Sequence, residues 1–239
     1  VGVDDLSKEE VLEKINSWLV TSHQSLVTSK LVFTPGPEFL LTAQKDKEFE
    51  NILNSADLTP NESFGLQLYC GFKNRVPGVD LVLELCRLAE KNGWSVGMMG
   101  NPNTQAAAKK LLEMFPKLKI GFAVDNPTTD RLVEVCDIQS YVDILFVGVG
   151  HPKQEKFLNN CKLAPIKSGL KISNLKFRVG MGVGGSFDLI SGKFPRPPIV
   201  LRNLGLEWLW RGVTKRGHFA RILRASLGFP LFYFLSKIS

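Results

Sequence analysis

The chain has 239 residues, 44% hydrophobic and 22% charged, enough to bury a substantial core in one large domain or in a domain with an appendage. Its four cysteines are widely spaced with no C-x-x-C pair and its three histidines are scattered, which excludes a disulfide framework and a zinc spacing and fits a reducing compartment. The net charge of +7 is uneven: from Ser191 to Ser239 nine Lys or Arg face one acid, Glu207, so this segment carries +8 and the rest of the chain −1. A basic tail of this kind points to phosphates, whether of nucleic acid, anionic lipid or a diphosphate ligand. No signal-peptide pattern stands at the start, and no apolar run reaches the ~18–20 residues that span a bilayer.

In chain order, residues 6–19 keep helical apolar spacing, with Ser7 and Glu10 forming a capping box. Residues 31–33 read as a short strand running into T-P-G-P-E, and residues 39–47 resume a helical pattern. Residues 56–66 and 74–80 are loops rich in turn formers. A helix over 81–91 ends at Asn92-Gly93, followed by a strand at 94–99, a turn at 100–103 and a helix over 104–115. A strand at 118–124 and a weaker helix at 129–140 come next. Residues 143–157, D-I-L-F-V-G-V-G-H-P-K-Q-E-K-F, then read as a doubly buried strand, a tight turn at Gly150 and a helix with Pro152 in its first position and Gln154 near its start. A last strand at 177–183 delivers the glycine-rich turn G-V-G-G-S-F-D, residues 182–188. Glycine there lets backbone approach a ligand closely.

The alternation predicts an α/β, Rossmann-like fold with a mostly parallel sheet flanked by helices, spanning 1–191, and a basic helical appendage over 192–239. Turns that lead from strand to helix place free N–H groups and a positive dipole end at the carboxyl edge of such a sheet, which suits an anion. The chain has no G-x-S-x-G elbow, no Walker A lysine motif and no D-x-D pair to hold a divalent ion on a nucleotide diphosphate. No cofactor and no metal are expected. A leaving diphosphate would have to be neutralised by arginines and helix N-termini.

The G-H-P-K-Q-E segment resembles the G-x-P-K-Q-E motif of the WecG/TagA/CpsF glycosyltransferases. In the same order, G-V-G-G-S-F-D-L-I-S-G-K-F-P-R-P-P and L-G-L-E-W-L-W-R resemble two further motifs of that family, and T-P-G-P-E, A-Q-K-D and R-V-P-G-V-D resemble earlier blocks, so the likeness runs over nearly the whole chain. The resemblance implies an inverting transfer of an N-acetylated amino sugar, typically N-acetylmannosamine, from UDP to a polyprenyl-diphosphate-linked sugar at the cytoplasmic membrane face. It also implies a C-terminal appendage that closes over the site and docks on membrane, and members that self-associate as homo-oligomers.

Carried over by motif, the family's catalytic acid falls on Glu62, or on Asn61 with a one-residue shift. A base needs a carboxylate within reach of the acceptor hydroxyl, which favours Glu62. The glycine that neighbours the family acid is Ser63 here, which would restrict the loop, and the family Asn after the matching Thr34 is Gly36. Arg75 matches an arginine proposed to bind substrate or diphosphate. Gln154 matches the motif glutamine near sugar or acceptor, a role compatible with capping its own helix. Gly150, Gly184 and Gly185 would lie against substrate, and Asp188 would grip sugar hydroxyls or cap the following segment. His151 reads as a substitution at the mouth of the turn, not a catalyst. In the tail, Arg196, Arg202, Arg211, Lys215, Arg216, Arg221 and Arg224 are diphosphate and lipid candidates, with Arg211, Arg221 and Arg224 favoured for the leaving group. The apolar S-L-G-F-P-L-F-Y-F-L beside them reads as an interfacial segment on an anionic membrane. Against this stands an alternative motivated by Gly36, Glu62 and Ser63: a catalytically impaired homologue that binds UDP-sugar or lipid diphosphate without turnover. Nucleic-acid binding is not expected, because no nucleic-acid module is recognisable.

Overall fold

The computed structural model describes residues 1–21, 29–126, 141–163, 175–203, 207, 209, 210, 229 and 230. The apolar run that precedes Gly150 forms β4 (Tyr141–Gly148) and is paired on both sides, as a continuous apolar strand must be. Around it, β1 (Lys30–Val32), β2 (Ser95–Gly100), β3 (Lys119–Asp125) and β5 (Lys176–Gly182) complete a parallel sheet in the order β1–β5–β4–β2–β3. This is the α/β arrangement the alternating pattern predicts.

Side chains alternate across a strand, so β4 feeds two cores. Ile144 and Phe146 face one layer, under α1 (Lys8–Thr21), α5 (Gly78–Asn92) and α6 (Thr104–Met114). Leu145 and Val147 face the other, under α2 (Pro37–Ala43), α3 (Lys47–Asn54) and α7 (Lys153–Leu163). The capping box forms as read: Glu10 N donates to Ser7 Oγ, and Ser7 N to Glu10 Oε2. Gly93 ends α5 in the left-handed conformation that its position after Asn92 suggests.

Three local expectations are corrected. The helical stretch at 39–47 is two helices, because the Asp46 carboxylate accepts from Phe49 N and caps α3 as a new start. The loop at 56–66 does not run on unstructured: Ser63 accepts from Gly65 N and starts α4 (Phe64–Cys70). Pro152 precedes α7 by one residue instead of opening it, and its carbonyl receives Lys156 N. The helix expected at 129–140 lies outside the described residues.

At the amino edge of the sheet, Arg178 on β5 is 4% exposed. Its Nη1 lies 3.2 Å from Asp143 Oδ1 on β4 and donates to Leu19 O. Asp143 Oδ2 also accepts from Ser95 N on β2. Removing one partner of a buried pair leaves the other charge uncompensated. Asp143→Ala should therefore cost about 3–5 kcal/mol in urea-unfolding free energy. A loss below ~1 kcal/mol, the level of an exposed pair, would mean that the guanidinium finds solvent.

Candidate active site

In a parallel sheet every strand delivers its next residues to the same edge. The carboxyl edge here receives Thr34 and Gly36 after β1, Gly182–Asp188 from β5, Gly150–Gln154 after β4 and Asn101–Asn103 after β2. The connection order reverses between β2 and β4, since β3 lies on one side of β2 and β4 on the other. Ligands of open α/β sheets bind in the crevice at such a switch point. Strands lie about 4.8 Å apart, so β1 and β4, with β5 between them, stand about 10 Å from each other.

Gln154 joins two of these turns. It is 2% exposed, and its Oε1 accepts from Gly150 N at 3.2 Å and from Gly184 N at 3.0 Å. The bond to Gly150 is the capping role read from sequence, and the bond to Gly184 adds a strut from the β4 turn to the β5 turn. Both glycines have positive φ, 87° and 50°, so side chains there would be strained. On the other side, Gln154 Nε2 donates to Glu155 Oε1 at 2.6 Å. Glu155 is fully buried, and burial pushes its carboxyl up to about 7. Gly185 is the N-cap of the short helix α8 (Ser186–Ile190), in which Asp188 is 8% exposed and accepts from Asn103 Nδ2 at 2.6 Å. Asp188 thus ties the β5 turn to the β2 turn. His151 stacks on Phe39 of α2, with ring centroids 4.7 Å apart, and fastens the same rim from outside.

The second cluster lies at the end of β1. Thr34 is buried, and its hydroxyl donates to Glu62 Oε2 at 2.8 Å. Glu62 is half-buried, and the N-terminus of α5 closes over both side chains. A Cβ on Gly78 would lie 3.4 Å from Thr34 Oγ1 and 3.5 Å from Glu62 Oε2. Asn61 is 1% exposed and spends both ends of its amide on the loop, donating to Asn74 O and accepting from Ser63 N. Between the two alignments, the residue brought against Thr34 is therefore Glu62. Ser63 has φ −105°, ordinary for any residue, so the loop does not need glycine there and the expected restriction is absent. Gly36 is the N-cap of α2 and supplies no side-chain cap, the polar contact an asparagine would have given.

Arg75 stands in the loop just before α5, whose Val76 N donates to Asn61 O. Its Nη2 donates to Arg202 O at 2.7 Å, and its Nη1 lies 3.4 Å from Glu207 Oε1. Arg202 belongs to α9 (Ile199–Asn203). Arg196 pairs with Asp80 of α5, so the 75–80 segment holds the start of the tail at two points. Both terminal nitrogens of Arg75 thus reach the tail in this structure. Arg211, Lys215, Arg216, Arg221 and Arg224 lie outside the described residues. Sequence reasoning missed Asn103, Asp80 and Glu155 as parts of this edge. Asn103 carries only the signal of a turn residue before a helix, and Glu155 only that of a letter in a motif.

The whole chain, residues 1–239, matches the family described as the glycosyl transferase WecG/TagA/CpsF family. The chain is also similar to N-acetylglucosaminyldiphosphoundecaprenol N-acetyl-beta-D-mannosaminyltransferases. That of Bacillus subtilis is 27% identical over 201 residues, covering 81% of this chain and 75% of the relative. Those of Staphylococcus aureus are 24% and 26% identical in two strains, over 225 and 223 residues, each covering 89% of this chain and 82% of the relative. The match runs through every strand of the sheet and both glycine turns at its carboxyl edge, and the chain belongs to the WecG/TagA/CpsF family of glycosyltransferases.

Proposed function

We propose that this glycosyltransferase moves N-acetylmannosamine from UDP to N-acetylglucosamine carried on a polyprenyl diphosphate, with inversion and without a metal ion. The observation that carries this reading is the Thr34–Glu62 pair, set on the same sheet edge as the Gly150 and Gly184 turns. The named substrates follow the relatives in Bacillus subtilis and Staphylococcus aureus.

Thr34 holds Glu62 Oε2, and Oε1 faces the acceptor hydroxyl and takes its proton. The acceptor oxygen attacks the anomeric carbon from the side opposite UDP. The bond from that carbon to the UDP oxygen breaks, and UDP leaves with the electron pair. The glycine turns at Gly150, Gly184 and Gly185 form the donor wall, with Gln154 holding two of them together and Asp188 bracing them on Asn103. Arg75 and the tail arginines Arg211, Arg221 and Arg224 meet the charge developing on the diphosphate. Charge stabilisation of this kind is often the largest catalytic term. Residues 192–239 form the basic appendage, which holds the enzyme peripherally on the anionic cytoplasmic face of the membrane. No helix among the described residues is long and apolar enough to cross a bilayer, which suits peripheral attachment.

The test is to incubate the purified chain with UDP-N-acetylmannosamine and a short polyprenyl-diphosphate N-acetylglucosamine in the presence of EDTA. A disaccharide whose new linkage has the anomeric configuration opposite to the donor is expected. Absence of transfer with any UDP-amino sugar, from protein shown to be folded, would contradict the reading. Transfer that EDTA abolishes would contradict metal independence.

A further inference from the structure

A buried glutamate beside the glycine turns has no part in the chemistry above. Glu155 is 0% exposed, its Oε1 accepts from Gln154 Nε2 at 2.6 Å, and its Oε2 has no hydrogen-bond partner among the described residues. Burying a carboxyl is expensive, and a group kept under that penalty on the first turn of α7 calls for a reason.

The reason lies in the two ends of the Gln154 amide, which are alike in shape and opposite in hydrogen bonding. On one side stand two donors, Gly150 N and Gly184 N. Only the amide oxygen can meet both. Turned over, the amide would set its NH2 against two N–H groups and its oxygen against a carboxylate oxygen. Glu155 Oε1 supplies the one acceptor that makes the observed orientation the satisfied one. The end of β5 leaves the pair no slack: a Cβ on Gly182 would sit 2.9 Å from Gln154 Nε2 and 3.0 Å from Glu155 Oε1. A side chain on the first glycine of G-V-G-G would press on the Gln154–Glu155 bond.

We propose that Glu155 is a positioning residue of the donor site: its buried carboxyl fixes which end of the Gln154 amide faces the Gly150 and Gly184 turns, and so holds the two turns at their working separation. The proposal rests on the reading of those turns as the donor wall. Other charged groups nearby are committed elsewhere. Lys156, the next residue on α7, pairs with Asp46 and Glu48 of α3, and Arg178 on β5 pairs with Asp143. Among the described residues no ion pair reaches Glu155. Burial raises its carboxyl to about 7, and a proton on Oε2 leaves Oε1 able to accept, so the positioning holds in either protonation state.

The test uses the full chain and three variants, with UDP-N-acetylmannosamine KM and kcat measured across pH 6 to 8, about one unit either side of that midpoint. Glu155→Met keeps the length of the side chain and removes the acceptor. It should raise the donor KM about 10-fold, the equivalent of one net hydrogen bond. Glu155→Gln keeps an acceptor oxygen and cannot titrate. It should restore KM to within about 3-fold of the parent, a fraction of one hydrogen bond, at every pH tested. Gln154→Leu is the control for the underlying reading and should be impaired at least as much as Glu155→Met. Parent-like kinetics in Glu155→Met beside an impaired Gln154→Leu would overturn the positioning role alone. Parent-like kinetics in Gln154→Leu would overturn the placement of Gln154 in the donor wall. Glu155→Gln as impaired as Glu155→Met would show that charge, not orientation, matters, and would also overturn the proposal. If Glu155→Met does not fold, Glu155→Gln decides: a donor KM within about 3-fold of the parent supports the proposal and a KM raised about 10-fold overturns it.

Discussion

Glu62→Gln is expected to lower transfer by about 10²–10⁴-fold, the range a positioned general base contributes, while leaving UDP affinity close to the parent. The substitution keeps the length and shape of the side chain. The amide oxygen it introduces can still accept from the Thr34 hydroxyl, which donates to Glu62 Oε2 at 2.8 Å in the parent. What it removes is the capacity to take a proton from the acceptor. The loop around it should not move, because Asn61 and Ser63 fix that loop through their own bonds to Asn74 O and Gly65 N. Thr34→Val should fall between parent and Glu62→Gln, since it removes the hydroxyl that orients the carboxylate and leaves the base in place. Full transfer by Glu62→Gln would remove Glu62 from the chemistry.

The second large effect is expected at Arg75. Arg75→Met should reduce transfer by about 10²–10³-fold, the usual cost of deleting a donor aimed at developing charge. It should also loosen the start of the tail. In the parent, the guanidinium reaches Arg202 O at 2.7 Å and Glu207 Oε1 at 3.4 Å, and both Arg75 and Glu207 side chains are less than one-fifth exposed. Limited proteolysis should cut Arg75→Met after residue 191 faster than the parent. Glu207→Gln separates the two roles: it weakens the hold on the tail and leaves the arginine present. Transfer by Glu207→Gln should therefore exceed that of Arg75→Met by at least about 10-fold, one strong charge-assisted hydrogen bond. Equal loss in the two variants would make Arg75 a tether only.

The sheet was legible because each strand carries its own signal. Residues 144–149 form a continuous apolar run, and the turns that follow contain glycine at positions that need positive φ, Gly150 and Gly184. Strand order was not legible, since nothing local tells β5 to pair with both β1 and β4. The break between α2 and α3 is hidden because the polar run Q-K-D-K-E that spans it contains no glycine or proline. The signal that mattered was Asp46, hidden as a cap inside the charged run K-D-K-E. The start of α4 is hidden for a related reason: Ser63 sits among turn formers, yet its hydroxyl caps a helix.

The candidate site divides in the same way. Gln154 was placed at its helix start by sequence alone, because capping is local. Its bond to Gly184, thirty residues on, was invisible until the fold joined β4 to β5. Thr34 and Glu62 are likewise 28 residues apart, and only packing of the β1 edge against the α5 start brings them together. Glu155 carries only the signal of a letter in the G-H-P-K-Q-E motif, and its burial comes from the packing of α7 on the sheet. The two bonds of Arg75 cross to the tail, a long-range choice that no periodicity records.

The claim that carries the account is that one pocket at the carboxyl edge serves both donor and base. A crystal structure of the full chain with UDP tests it most directly. The diphosphate is expected against the Gly150 and Gly184 turns, with Glu62 facing the place of the anomeric carbon and Arg75 or tail arginines on the phosphates. UDP bound away from the carboxyl edge, or a pocket that leaves Glu62 outside it, would contradict the account.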